Sequence, residues 1–299
     1  MIDLNALWDN DGNILDIKVK SKEQVETIIS EVEAIDLKST SVPELMAVLR
    51  QFGGYGYSLT TLNASRGRSN LIYRVVKHRQ RPYYLPALSY PPVEYARLNR
   101  ASTEGEQMFY GAFDDRTAMF ETNLAVGDRF VLSRWAIPED IQVISLGFSD
   151  EVFRLLNSRE KNFINVLADF VYTNQEANVM MHDFFAKSFC QIVPDDRPEL
   201  YNLSIAIARH FSHNPRGQAI IYPSVACKAN AQNIVVSKEL VDEGIISCHR
   251  VMFAQIVDIR DHGPEKEYYY RIMDSADEFS PSGSIKWSGL RWHVDAESF

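Results

Sequence analysis

A chain of 299 residues, 45% hydrophobic and 24% charged, has the make-up of a soluble globular protein with one large domain or a domain with an appendage. Its formal net charge of −9 repels phosphate backbones and argues against general nucleic-acid binding, although a local basic patch survives such an average. Met1-Ile2-Asp3-Leu4 opens no basic-then-apolar leader, no run approaches the roughly 20 apolar residues of a membrane span, and Cys190, Cys227 and Cys248 are too few and too scattered for a disulfide framework, so a cytoplasmic, reducing home is expected.

In chain order, the first elements read as amphipathic helices. Ser21 and Gln24 have capping-box spacing ahead of an apolar-periodic run, and Ser41-Val42-Pro43-Glu44 opens a second helix that should stop by Gly53-Gly54. The glycines of Gly53-Gly54-Tyr55-Gly56-Tyr57 lack a Gly-Lys-Ser/Thr ending and predict a turn or linker rather than a phosphate loop. Arg66, Arg68, Arg74, Lys77, Arg79 and Arg81 then crowd together, as either a solvated face or the mouth of an anion-binding pocket.

From Leu71 the pattern changes to short strands. Leu71–Val76, Met108–Ala112, Arg129–Ala136, Val143–Leu146, Ala219–Tyr222 and Ile234–Val236 read as strands, followed by Met252–Ile259 and Tyr268–Ile272 around a turn at Asp261-His262-Gly263-Pro264. Between Asp150 and His213 the spacing is mostly helical, at Val152–Leu156, Phe163–Val171 and Leu203–Phe211. Phe113-Asp114-Asp115-Arg116-Thr117 predicts a strand-to-helix turn with an aspartate cap on the helix that carries Glu121. Strands, then helices, then strands predict an α+β fold.

The common active-site signatures are absent. His210 and His213 stand three apart near a helix end without further metal-ligand spacing, so no metal is expected. Ser224 lies in Tyr-Pro-Ser-Val rather than Gly-x-Ser-x-Gly, and no G-x-G-x-x-G follows a strand. Charges in or beside apolar runs remain: Arg74 in Leu71–Val76, and Glu121 after Ala118-Met119-Phe120. Buried charges are costly unless paired or ligand-bound.

Tyr73-Arg74, Ser89-Tyr90-Pro91-Pro92 with Ala96-Arg97-Leu98-Asn99, Phe109-Tyr110-Gly111 leading to Ala118-Met119-Phe120-Glu121, and Tyr222-Pro223-Ser224-Val225 with Asn233-Ile234-Val235 arrive in one order. Together they resemble the RES-domain family, named for its arginine, glutamate and serine. The resemblance implies a mixed core like that of ADP-ribosyltransferase toxins, with an N-terminal helical extension over 1–66 and a RES-like domain over 67–299 that carries a helical insertion at about 150–213. It further implies a toxin-type enzyme that consumes NAD by cleaving its nicotinamide–ribose bond, with water or phosphate as acceptor. Transfer of ADP-ribose to a protein or nucleotide is the alternative, and a non-catalytic binding module the second. A cognate antitoxin or immunity protein is the implied partner; membrane is not, and oligomeric state stays open. The chain departs from the family pattern at Val75, where several members carry an aromatic ring, in the long link between Glu121 and Ser224, and in its extra amino-terminal helices.

On this reading Glu121, Arg74 and Ser224 are the candidate catalytic residues, with Tyr73, Arg97, Asn99 and Tyr110 binding substrate. Carboxylates stabilise an oxocarbenium-like centre, and a guanidinium grips pyrophosphate or ribose at two points. Each residue also has a plainer reading. Glu121 would pair with Arg74 or Arg116, Asn99 would satisfy its own turn, Tyr110 would be a core ring with a wet tip, and Ser224 a turn serine.

Overall fold

The structure, a computed structural model, describes residues 20–52, 59–62, 70–137, 141–148, 176–211, 219–224, 231–261 and 266–289. The capping box at Ser21 forms: Gln24 N donates to Ser21 Oγ at 3.3 Å and Ser21 N donates to Gln24 Oε1 at 2.9 Å. This satisfies two groups that a helix start would otherwise leave unpaired, and opens α1 (Lys22–Glu33). Helix α2 (Val42–Leu49) begins at Ser41 with Pro43 in its first turn and tightens into a 3-10 turn at Arg50–Phe52. The glycine-rich run after it lies outside the described residues.

Nine strands form one mixed sheet: β1 (Leu59–Leu62), β2 (Asn70–Lys77), β3 (Met108–Ala112), β4 (Arg129–Ile137), β5 (Ile141–Ser145), β6 (Ala219–Pro223), β7 (Gln232–Ser237), β8 (Ser247–Asp261) and β9 (Lys266–Ala276). Their order is β1-β5-β6-β7-β3-β2-β4-β8-β9, antiparallel throughout except for the parallel β5–β6 pair. Each strand expected from apolar alternation is present within a few residues of its place. Strand β1 is additional, four residues being too short for a period of two to stand out. The remaining helices are α3 (Asp115–Glu121), α4 (Glu176–Cys190), α5 (Tyr201–Phe211) and α6 (Lys238–Asp242). The helical readings at Val152–Leu156 and Phe163–Val171, the tip at 262–265, and Arg66 and Arg68 lie outside the described residues. With helices beside a mixed sheet, the fold is α+β.

Alternation along the strands sorts the core into layers. In β3, Met108 and Tyr110 pack with the helices, Ala112 packs with α3, and Phe109 faces the other side of the sheet. One cluster joins α1, α2, α4 and α5 through Val25, Leu45, Phe185 and Ile207 to Ile220 and Val235 of the sheet. A second places Ala118 and Met119 of α3 on Val75 and Leu132. The third fills the opposite face, where Phe109 and Trp135 meet edge-on at 5.1 Å between centroids, across β2. The two helical layers therefore cover one face of the sheet and leave a gap between them above β3 and β2.

Candidate active site at the β2–β3 seam

The sheet is weakest where that gap opens. Strands β2 and β3 share a single register pair, Tyr73 with Ala112, whereas β2 and β4 pair over eight positions. Gly111 lets the two strands approach there. A Cβ at this position would stand 2.5 Å from Ile72 Cγ2, 3.0 Å from Phe109 Cε1 and 3.1 Å from the Tyr73 carbonyl oxygen. Beyond the single pair the strands part, and a cleft of about 230 Å³ opens, lined by Tyr73, Arg74, Tyr110, Glu121, Tyr201, Tyr222, Asn233 and neighbours.

Arg74 occupies the seam. Its Nη1 donates to the Tyr110 carbonyl at 2.6 Å, supplying a partner that no ladder bond from β2 provides, and its guanidinium lies 5.4 Å over the Phe109 ring. Nε is buried and meets no acceptor. Burial pulls the guanidinium down to about 10, so it remains a cation at neutral pH. No carboxylate pairs with it among the described residues. The neighbouring cations differ: Lys77 pairs with Asp128 at 2.8 Å, and Arg81 with the buried Asp274.

Glu121 ends α3, a helix that starts where expected: Asp114 accepts from Thr117 N and from Thr117 Oγ1, each at 2.7 Å. Glu121 is exposed as a residue, and no ion pair joins it to Arg74. Ser224 Oγ donates to Glu121 Oε1 at 2.7 Å, and Asn233 Nδ2 donates to the same oxygen at 2.6 Å. Both donors converge on Oε1; no donor among the described residues meets Oε2. Ser224 is fully buried at the end of β6, anchored by its own amide to Ala231 O at 2.8 Å. Arginine, glutamate and serine, far apart in sequence, thus gather at one seam.

The substrate-binding candidates divide. Tyr73 lines the cleft from the β2–β3 pair. Asn99 also lines it, but its Oδ1 accepts from Arg100 N at 2.8 Å and its backbone bridges to Ser102, which is the turn role. Tyr110 lines the cleft, while its hydroxyl bonds Ser102 Oγ at 2.9 Å and accepts from Ala101 N at 3.3 Å; burial pushes that phenol up to about 12. Arg97 is not brought to the cleft. It points outward, its side chain 75% exposed and 3.7 Å from Glu104.

Four lining residues were not singled out for a role by the sequence. Arg100 is nearly buried, and its Nη1 bonds the carbonyl oxygens of Phe189 and Gln191, fastening the cleft loop to the end of α4. Tyr201 arrives at the start of α5, and Tyr222, buried against Phe189, from β6. Asn233 carried the clearest signal: it is a side-chain amide in Gln232–Ser237, a strand buried at every position.

A family model described as the RES domain matches residues 71–251, more than half of the chain. The chain belongs to the RES-domain family. That family is associated with NAD-related toxin function, which marks an NAD-acting enzyme in general terms. No curated protein and no solved structure matches the chain. The RES match begins at β2 and ends within β8, so it spans every residue of the seam. Among the described residues no group of three His, Cys, Asp or Glu side chains could hold a metal ion, and no helix is long and apolar enough to cross a membrane.

Proposed function

We propose that this RES-domain protein consumes NAD, cleaving the bond between nicotinamide and ribose and passing the ADP-ribosyl unit to water or phosphate. One observation carries the reading. A buried guanidinium without a carboxylate partner, Arg74, shares a tyrosine-lined cleft with a carboxylate, Glu121, that two neutral donors hold by one oxygen.

The chemistry suits these groups. The C1′–N bond breaks with its electron pair going to the pyridinium nitrogen, so nicotinamide leaves neutral and needs no proton donor. Positive charge develops on C1′ and the ring oxygen, where the Glu121 carboxylate stabilises it. Water or phosphate then bonds to C1′; with water, one proton is released. Arg74 supplies a cationic donor to the substrate, whose charge counts for more where water is excluded. Ser224 orients Glu121 and is not a nucleophile. The cleft is smaller than the ~300–1,000 Å³ of typical ligand pockets, so it would enclose one end of the dinucleotide and leave the other at the surface.

Acting on a cytoplasmic NAD pool, such an enzyme arrests growth unless a partner restrains it. Purified protein incubated with NAD should release nicotinamide and free ADP-ribose or its 1″-phosphate, and Glu121→Gln should not. Equal release by both proteins, or none by the wild type, would remove the reading. Label from NAD fixed to a macromolecule would replace hydrolysis by transfer.

A further inference from the structure

Two buried atoms of residues that line the cleft remain without partners. Asn233 gives its Nδ2 to Glu121 at 2.6 Å, which sets the amide's orientation and leaves Oδ1 as its other end. Asn233 is 3% exposed, and Oδ1 meets no donor. Arg74 Nε is likewise buried and meets no acceptor. Both side chains line the same cavity. Folded proteins rarely leave such groups unsatisfied, and an acceptor and a donor orphaned together describe the ligand group that would satisfy them.

A phosphate oxygen can accept from Arg74, but at neutral pH a pyrophosphate has no proton to give Asn233. A hydroxyl does both, since its oxygen accepts from Nε while its hydrogen goes to Oδ1. Glu121 Oε2, on a residue that lines the same cleft, would take a second O–H. Two acceptors and one cationic donor are the complement of a vicinal diol. A carboxamide shares part of this chemistry, through its N–H and C=O.

Resting on the NAD reading, we propose that Asn233 determines specificity for the ribose on the nicotinamide side. Its Nδ2 positions Glu121, and its Oδ1 accepts from a ribose hydroxyl whose oxygen takes Arg74 Nε. Asn233 thereby couples substrate recognition to the placement of the carboxylate. A site built to pair a hydroxyl rejects the analogue that lacks it, because its own polar groups are then stranded.

The test is nicotinamide release from NAD, from analogues lacking the 2′ or the 3′ hydroxyl of that ribose, and from the analogue with nicotinate in place of nicotinamide. Wild type, Asn233→Ala and Asn233→Asp are compared by kcat/KM ratio, so intrinsic differences in analogue reactivity cancel. The ratio of NAD to one deoxy analogue should fall by about tenfold in Asn233→Ala. Asn233→Asp keeps the acceptor and loses the donor to Glu121, so it should keep that ratio while kcat falls. If Asn233 merely braces the strand, Asn233→Ala slows every substrate equally and the ratios stand, which overturns the proposal. Loss of the ratio in Asn233→Asp overturns it too, even if Asn233→Ala does not fold. Discrimination that follows the nicotinate analogue instead would put the carboxamide there and overturn the ribose assignment. No release by wild type from NAD removes the function and the inference together, whereas release with unaltered ratios removes the inference alone.

Discussion

Gly111→Ala probes the seam directly. The added methyl would lie 2.5 Å from Ile72 Cγ2, where carbon atoms prefer about 3.5–4.0 Å. Ile72 cannot yield freely, because it is fully buried in the cluster that holds Phe109 and Trp135. The Tyr73 carbonyl, at 3.1 Å, would have to move as well, and with it the one register pair that joins β2 to β3. Overpacking of this kind costs about 1–3 kcal/mol. The neighbouring residue on β2 is Arg74, so any shift carries the guanidinium away from Tyr110 O and from its place opposite Glu121. Displacement of a positioning group by about 1 Å costs on the order of 100-fold in rate. We expect a lowered urea midpoint with an unchanged slope, and nicotinamide release reduced by more than the loss of folded protein explains. An unchanged midpoint together with full activity would show that the strands have slack, and would refute the close-approach argument.

Three further outcomes are expected. Glu121→Gln can still accept from Ser224 and Asn233, so it should keep the wild-type melting temperature and the thermal shift given by NAD, yet release nicotinamide about 100-fold more slowly or worse; loss of the NAD shift would place Glu121 in binding instead. Asp114→Ala removes both bonds to Thr117 and should cost about 1 kcal/mol by denaturant unfolding, with activity falling as the helix that carries Glu121 loosens; a variant as stable as wild type would contradict the cap. Arg74→Met should abolish nicotinamide release while stabilising the fold at neutral pH. Burial disfavours the Arg74 charge more than the single bond to Tyr110 O compensates, so the variant is expected to be at least as stable as the wild type. Because the folded-state value lies below the unfolded one, the penalty is complete below about pH 10 and shrinks as pH rises above it. The stability gap between variant and wild type, read as urea midpoints, should therefore narrow at alkaline pH; a gap that widens would reverse the sign.

The strands were legible because one face of each is packed, and period-two alternation records that directly. The cap on α3 was legible for a similar reason, since an aspartate before Asp-Arg-Thr-Ala can do little else as well. The meeting of Arg74, Glu121 and Ser224 was legible only through the order of the family blocks, since nothing local to Ser224 points to Glu121. Arg97 shows the limit of such reasoning. It and Arg100 sit in one turn, and only tertiary packing decides that Arg100 is the one drawn in, stacked 5.9 Å over Phe189 and bonded to the end of α4. Tyr201 was invisible for the same reason, because its place depends on how α5 docks on α2 and the sheet. Asn233 belonged to a quoted motif, yet it acquires a role only when its amide is seen against Glu121.

An uninterrupted ladder between β2 and β3 would be the more stable arrangement, and it would leave no cleft. The chain instead ends that ladder after one pair and meets the exposed Tyr110 carbonyl with a side-chain guanidinium. Such a substitution satisfies the carbonyl while leaving the charge and Nε of Arg74 available, which a backbone amide could not do. On the NAD reading proposed above, it is also what this acidic chain would offer an anionic dinucleotide. Among the described residues of that basic crowd, Lys77 and Arg81 are neutralised by Asp128 and Asp274, and Arg74, three residues from Lys77, is not. One cation in a partly closed site of low dielectric does what many surface cations in water would do poorly, and because it sits in the seam it cannot be moved without moving the sheet.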